Sequence, residues 1–219
     1  MENINRFIEQ TNLRPNLKVK EIEKLVRDAK ENKFFGVCVP PFWVKSAKRD
    51  IGTDELQLVT VVGFPLGYNM TETKLDEMKR AIDNGANELD LVINISAFKS
   101  GLSWVKIEIA KCAKLAHEND CLIKAIIETA YLDVDEIKTI ATIASDAGVD
   151  FVKTSTGFAP SGATLEDVSF LRKVLPSTVG IKASGGIRSY DRAVALIRAG
   201  ADRIGTSSGI QIMEAVSNE

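Results

Sequence analysis

The sequence has a single histidine, His117, and only three cysteines, at positions 38, 112 and 121, among its 219 residues. The cysteines are widely spaced and odd in number, which excludes a framework of paired disulfides and is typical of a reducing compartment. With one histidine and no Cys-x-x-Cys motif, a zinc site of the usual ligand types is not expected. The histidine and cysteine counts therefore predict that the protein has no structural or catalytic zinc.

Long apolar runs and a strong charge of one sign are also missing. No stretch approaches the roughly 18 apolar residues of a membrane-spanning helix. The first ten residues lack the basic-then-apolar order of a signal peptide. The net charge is only −2, so neither a membrane nor a nucleic acid is an expected partner. Because 45% of the residues are apolar, a large core is possible, and we expect a cytoplasmic enzyme.

Short apolar strands alternate with amphipathic helices along the whole chain. Eight strands are predicted, within residues 7–13, 37–39, 57–64, 88–94, 121–128, 148–157, 178–184 and 202–206. No linker or charge block divides them, so residues 1–219 are expected to form one domain with a flexible tail over the last few residues. Eight βα units predict an α/β fold, a (β/α)₈ TIM barrel with a parallel eight-stranded sheet. The alternative is an open doubly wound sheet, whose Gly-x-Gly-x-x-Gly turn is absent.

Lys153 lies where a buried strand meets its loop. Phe151 and Val152 before it favour a strand, and the polar residues 154–157 after it favour a turn. The ordinary interpretation of such a lysine is a solvated charge at the edge of a strand. In α/β proteins, however, catalytic groups stand at this rim. The position therefore makes Lys153 a candidate for chemistry.

A repeated spacing predicts which side chains face the barrel interior. Glycines at positions 85, 148 and 200 each end a helix, and Asp90, Lys153 and Gly205 follow them by five residues. Side chains alternate along a strand, so these equal offsets place all three residues on the same face. Lys182 lies in the next strand after Lys153, and neighbouring strands are about 4.8 Å apart.

Two inward lysines on adjacent strands would bring their amines together. A nearby ammonium and burial both favour the neutral form of an amine. A neutral amine attacks carbonyl groups and forms a Schiff base. In this interpretation Lys153 or its neighbour is the nucleophile, and Asp90 moves protons. The alternative is that Lys182 lies on the outer face of the barrel.

Two loops, residues 184–186 after the seventh strand and residues 207–209 after the eighth, are suited to a phosphate group. Glycines allow close backbone approach, and free N–H groups at the start of a helix favour anions. Phosphate sites of this barrel recur after strands seven and eight. The residues predicted to contact the substrate or its phosphate are small or hydroxylated: Thr156, Gly157, Gly185, Gly186, Ser207 and Ser208.

Residues 151–158 and 180–188 closely resemble the deoxyribose-phosphate aldolase family. The likeness continues in residues 61–67, 88–94 and 203–209, in the same order along the chain. The resemblance implies a metal-independent aldolase that cleaves 2-deoxy-D-ribose 5-phosphate to D-glyceraldehyde 3-phosphate and acetaldehyde. These small molecules are its expected partners, and the protein is expected to form a homo-oligomer, a dimer or a tetramer.

The resemblance also assigns roles to residues. Lys153 would be the Schiff-base lysine, Lys182 the second lysine that perturbs it, and Asp90 the proton-relay carboxylate. The Gly185-Gly186 and Ser207-Ser208 loops would hold the phosphate.

The chain departs from the family pattern at three places. The family commonly has Asp-His-Thr where this chain has residues 9–11, Glu-Gln-Thr, and Cys-Val-Asn-Pro where residues 38–41 read Cys-Val-Pro-Pro. Some members carry a tyrosine in a C-terminal tail, and residues 215–219 contain none.

Two other functions are considered. One is a phosphate-binding isomerase or lyase that uses acid–base chemistry without an imine, and the other is a ligand sensor or scaffold that binds without turnover.

Overall fold

A computed structural model describes residue 1 and residues 3–216 of the chain. Eight parallel strands form a closed barrel in sequence order. The strands are β1 (Ile8–Thr11), β2 (Gly36–Val39), β3 (Gln57–Val62), β4 (Glu88–Val92), β5 (Leu122–Ile126), β6 (Phe151–Lys153), β7 (Gly180–Ser184) and β8 (Arg203–Thr206). Because β1 pairs with β8, the sheet has no free edge, which confirms the predicted TIM barrel and rules out the open sheet.

Helices surround the barrel. They are α1 (Val19–Glu31), α2 (Val44–Ile51), α3 (Thr71–Asp83), α4 (Ile95–Lys99), α5 (Trp104–His117), α6 (Val134–Asp146), α7 (Leu165–Val174), α8 (Tyr190–Arg198) and α9 (Gly209–Val216). Asp133 and Glu136 form a capping box at the start of α6. No helix in the described part of the chain is long and apolar enough to cross a membrane.

The main apolar core lies between the strands and the helices. Outward residues of β4 and β5, such as Leu89, Leu91 and Ala125, are fully buried in it. The alternate residues of the same strands, including Asp90 and Lys124, point into the barrel and are buried as well. The barrel interior is therefore charged, whereas the layer around it is apolar. Of the predicted flexible tail, residues 217–219 lie outside the described part of the chain.

Candidate active site

Six charged residues fill the centre of the barrel, and none of these residues is more than 2% exposed. They come from β1, β4, β5, β6 and β7 and are Glu9, Glu88, Asp90, Lys124, Lys153 and Lys182. We call this set the central cluster. Three lysines face three carboxylic side chains, so the cluster has no net charge when all six are ionised. Balanced pairing is what makes the burial of so many charges tolerable.

Asp90 is the hub of the central cluster. Its Oδ2 accepts hydrogen bonds from Lys153 Nζ at 2.8 Å and from Lys182 Nζ at 2.7 Å. Its Oδ1 lies 3.0 Å from Lys124 Nζ. Burial by itself would raise the pKa of Asp90, but attraction to the three lysines outweighs it and holds the pKa well below its ordinary value. Asp90 is therefore a carboxylate at any pH near neutrality.

Two of the three lysines have a second carboxylate partner. Lys182 donates to Glu9, and Lys124 donates to Glu88. Burial lowers the pKa of both lysines, yet the nearby carboxylates, with Asp90 the strongest, reverse this and raise the pKa above its ordinary value. Lys182 and Lys124 are therefore permanent cations. Lys153 makes its one ion pair in the described residues with Asp90.

The predicted register agrees with the structure. Lys153 and Lys182 are direct partners in the pairing of β6 with β7, and both face inward with Asp90. Gly205 also faces inward, since a Cβ placed on it would lie 3.1 Å from Lys182 Cε. Lys153 lines an open cavity, whereas Lys182 and Asp90 do not and lie beneath it. This arrangement gives a ligand in the cavity access to one amine, backed by a carboxylate and a second ammonium.

The cavity at the carboxyl ends of the strands has a volume of about 560 Å³. Its charged lining residues are Lys153, Arg14 and Arg188, and none of the described residues that line it carries a carboxylate. A concave site with cations and no anions concentrates negatively charged ligands. The cavity is therefore suited to a phosphorylated molecule.

Most of the loop residues that were predicted to contact the substrate line this cavity. Thr156, Gly157, Gly185, Gly186 and Ser207 do so. The φ angles of the two adjacent glycines, 86° and 75°, lie in the left-handed region that favours glycine. The sixth predicted residue, at position 208, is not among the lining residues, and its backbone N–H donates to the Thr206 hydroxyl at 2.9 Å.

Thr156 is held by a buried carboxylate that the sequence analysis did not single out. The backbone N–H and the hydroxyl of Thr156 both donate to Glu128, and the hydroxyl accepts from the N–H of Phe158 at 3.0 Å. Burial raises the pKa of Glu128. The φ angle of Glu128, 55°, is unusual for a residue other than glycine, and such backbone strain is often found at functional sites. The hydroxyl of Thr156 is thus already hydrogen-bonded to Glu128 and Phe158.

The two residues of β1 that depart from the family pattern, Glu9 and Gln10, have specific partners in the structure. Glu9 points inward and pairs with Lys182. The side chain of Gln10 points the other way: its Oε1 accepts from the backbone N–H of Gly209 at 3.0 Å, and its Nε2 donates to the carbonyl of Ser207 at 3.4 Å. Gln10 therefore fixes the loop between β8 and α9, which was predicted to hold phosphate.

Several functional candidates were missed in the sequence. The inward orientation of Glu88 follows from its spacing of two residues from Asp90, and this signal was available. Arg188 follows the glycine pair directly in the chain and could have been added to the same loop. Arg14 and Glu128 carry no such local signal, because their positions depend on loop geometry.

Comparisons with known proteins agree with this site. The family model "DeoC/LacD family aldolase" matches residues 4–215. A "Deoxyribose-phosphate aldolase" from Thermococcus kodakarensis is 49% identical over 220 residues, which is 99% of this chain and 98% of that protein.

Two solved structures extend the likeness to the fold. One described as "QR15, an Aldolase" is 42% identical, with a TM-score of 0.94 over 100% of this chain and 97% of that chain. The deoxyribose phosphate aldolase from Aeropyrum pernix, described as tetrameric, is 33% identical, with a TM-score of 0.91 over 98% of this chain and 91% of its own. The chain therefore belongs to the DeoC/LacD family of aldolases.

Proposed function

We propose that this protein reversibly cleaves 2-deoxy-D-ribose 5-phosphate to D-glyceraldehyde 3-phosphate and acetaldehyde through an imine on Lys153. One observation carries the proposal: Lys153 brings an amine to the floor of a cationic cavity, with its Nζ 2.8 Å from Asp90. A relative that is 49% identical and bears the name deoxyribose-phosphate aldolase supports the choice of substrate.

The reaction begins when Lys153, after its ammonium group has lost a proton to water, attacks the aldehyde carbon, C1, of the open-chain sugar with Nζ. Loss of water gives an iminium ion. As a base takes the proton of the C3 hydroxyl, the C2–C3 bond breaks and its electron pair moves toward the iminium nitrogen. Glyceraldehyde 3-phosphate leaves, and an enamine of two carbons remains on Lys153. Protonation at C2 and hydrolysis of the imine then release acetaldehyde.

In this scheme Asp90 moves protons below the reacting carbons, and Lys182 stays a cation that stabilises the negative charge of Asp90. Asp90 Oδ2 accepts one hydrogen bond from Lys153 Nζ at 2.8 Å and one from Lys182 Nζ at 2.7 Å. Such positioned acids and bases contribute about 10² to 10⁴ to a rate. The phosphate would lie across the cavity, at the Gly185-Gly186 turn and Ser207, beside Arg188.

The imine is tested by reduction with borohydride in the presence of 2-deoxyribose 5-phosphate. We expect inactivation and a mass increase on the peptide that contains Lys153, because only an imine is trapped by hydride. An isomerase or lyase that uses acid–base chemistry alone would turn over the sugar without a trapped adduct. A ligand sensor would bind the sugar without turnover.

Lys182→Met is expected to lower kcat/KM by about 10²-fold or more at pH 7, and by less at pH 9 to 10. Without the Lys182 ammonium, Asp90 and Glu9 face one fewer cation and favour the protonated, non-nucleophilic form of Lys153. Raising the pH restores part of the neutral amine. The measurement is the pH–rate profile of both proteins.

The double variant Lys182→Met with Glu9→Gln is the control, because it removes one charge of each sign and preserves the balance of the central cluster. A loss in Lys182→Met that is equally large at every pH would contradict the effect on protonation.

Gly186→Val is expected to raise KM for 2-deoxyribose 5-phosphate about ten- to a hundredfold, the value of one hydrogen bond to a charged group. A β-branched residue does not adopt the φ of 75° found at Gly186, so the turn that would cradle phosphate must change. Use of unphosphorylated deoxyribose should change little. Gly52→Val is a matched control, since Gly52 also has a positive φ, of 64°, and open space around its Cβ position. Equal losses with both sugars would mean that the phosphate lies elsewhere.

We further propose that residues 1–219 act as one cytoplasmic domain that assembles into a dimer or tetramer and needs no metal. The tetrameric description of the Aeropyrum pernix relative supports the assembly. The imine chemistry, which uses the iminium ion formed on Lys153 as its electron acceptor, supports independence from metal.

A further inference from the structure

We propose that Glu128, acting through the hydroxyl of Thr156, accepts the proton that leaves the C3 hydroxyl of the sugar when the C2–C3 bond breaks. Thr156 lines the cavity together with Lys153, whereas Glu128 lies behind it and is therefore a positioning residue. The inference rests on the proposed function, whose scheme needs a base at C3. Asp90 does not line the cavity and bonds to the amine of Lys153 from below.

The hydroxyl of Thr156 has one position left for a ligand. A hydroxyl group can donate one hydrogen bond and accept two. That of Thr156 donates to Glu128, and it accepts from the backbone N–H of Phe158 at 3.0 Å. One lone pair of the oxygen remains, so a ligand group that bonds to it has to be a donor. A sugar hydroxyl meets this condition, whereas a carbonyl or an ionised phosphate oxygen does not.

Thr156 lies between the two ends of the proposed site. Lys153, three residues before it, would hold C1 of the sugar as the imine. Gly157, directly after it, lies against the glycine turn that would hold the phosphate, since a Cβ placed on Gly157 would be 3.9 Å from Cα of Gly185. A sugar that spans these two points passes Thr156 with its middle carbons. C3 carries the first hydroxyl beyond the imine carbon, because C2 has none.

Glu128 is the buried carboxylate that has no ion pair within the described residues. The other four buried carboxylates each pair with a lysine, and they are Glu9, Glu88, Asp90 and Glu108. Burial raises the pKa of Glu128 and outweighs the hydrogen bonds from Thr156 and the charge of Lys153, whereas three lysines hold the pKa of Asp90 well below its ordinary value. Glu128 is therefore the stronger base of the two and is better suited to take a proton from a hydroxyl group.

The proton passes in two linked transfers. The C3 hydroxyl gives its proton to Oγ1 of Thr156, while Oγ1 gives its own proton to the carboxylate of Glu128. The electron pair of the O–H bond forms the new carbonyl group at C3, and the pair of the C2–C3 bond moves toward the iminium nitrogen. After glyceraldehyde 3-phosphate has left, the proton returns from Glu128 through Thr156 to water in the cavity.

Glu128→Gln tests this path, because glutamine has nearly the same size but cannot accept the proton. We expect kcat for cleavage of 2-deoxyribose 5-phosphate to fall about 10²-fold, with KM within about threefold of wild type. The second measurement is the exchange of the methyl protons of acetaldehyde with D2O. This exchange needs the imine and the enamine on Lys153 but involves no C3 hydroxyl, so it should keep the wild-type rate. Loss of the Glu128 charge also favours the neutral amine of Lys153, which does not slow the exchange.

Two variants of Thr156 test the same path from the cavity side and decide the matter if Glu128→Gln does not fold, as judged by circular dichroism. Thr156→Val removes the hydroxyl and should lower kcat as much as Glu128→Gln does, whereas Thr156→Ser keeps the hydroxyl and should retain most of the activity. Because the two residues act in one path, Glu128→Gln combined with Thr156→Val should be little slower than either single variant.

Glu77→Gln is the matched control. Burial raises the pKa of Glu77 as well, and its carboxylate accepts from a backbone N–H, that of Gly63, at 2.7 Å, but neither residue lines the cavity. This variant should keep the wild-type kcat. An unchanged kcat in Glu128→Gln or Thr156→Val, or an equal loss of cleavage and of exchange, would overturn the inference and leave the imine on Lys153 intact. A wild-type protein that neither cleaves the sugar nor exchanges the protons of acetaldehyde would overturn the proposed function itself.

Discussion

Replacing Lys153 with arginine is expected to abolish aldol cleavage, lowering kcat/KM by at least about 10⁴-fold, because the loss of a covalent nucleophile has effects of this size or larger. A guanidinium keeps a positive charge next to Asp90 but cannot form an imine. The fold should persist, since the central cluster keeps its balance of charge. Steady-state kinetics and circular dichroism of the variant provide the measurement.

The matched control for this change is Lys106→Arg. Lys106 is half exposed and pairs with Asp146 on the protein surface, far from the cavity lining. It should keep the wild-type rate. A folded Lys153→Arg protein that retained a tenth of the wild-type activity would remove Lys153 from the proposed mechanism.

Asp90→Asn should be the most damaging change to stability in the barrel, with a decrease of about 3–5 kcal/mol in the free energy of unfolding at pH 7. The amide keeps the shape of the side chain but leaves three buried lysines with two carboxylates. Urea unfolding at several pH values provides the measurement. Because the pKa of Asp90 is lowered in the folded protein, its stabilising contribution is complete above the ordinary carboxylate pKa and is lost as the pH falls through the folded value. The difference between wild type and variant should therefore shrink only in strong acid.

A second variant separates charge balance from chemistry. Asp90→Asn combined with Lys124→Met removes one charge of each sign and should recover part of the lost stability, because Lys124 pairs with Oδ1 of Asp90, whereas Lys153 and Lys182 bond to Oδ2. The recovery is limited because Glu88 also loses Lys124 as its partner. Activity should stay low, since the proton-moving carboxylate is still absent. A double variant no more stable than Asp90→Asn would show that charge balance is not the cause. Wild-type turnover in either variant would exclude Asp90 from the reaction.

The fold could be predicted from the sequence because its signals are local. Most strands are short, largely apolar runs between turn residues, and glycines mark the ends of the preceding helices at Gly85, Gly148 and Gly200. The equal spacing from these glycines to Asp90 and Lys153 was enough to place both side chains inside. That Lys153 and Lys182 lie on neighbouring strands followed from their places in two consecutive βα units, and the structure adds that they are direct register partners.

The rest of the site could not be predicted because it depends on contacts across the barrel. The pair of Lys182 with Glu9 joins β7 to β1 and spans 173 residues, with β8 between the two strands. Sequence spacing says nothing about a contact of this kind. The expectation that Lys182 acts on Lys153 as a simple like charge left out the ion pairs of Lys182 with Glu9 and Asp90. These two carboxylates neutralise much of the charge of Lys182. The roles of these residues stay predictions until the variants are measured.

The central cluster also bears on how the chain reaches its native state. Glu9 enters the barrel on the first strand, and Lys182, its partner, enters on the seventh. A partly assembled barrel that has buried Lys182 without β1 would hold an ammonium group without one of its two anions, at a high cost in free energy. Intermediates of this kind are disfavoured, so β1 and β7 are expected to join the barrel in the same folding step. The ion pairs that prepare the site for chemistry thereby favour all-or-none assembly of the barrel over the stepwise addition of stable βα units.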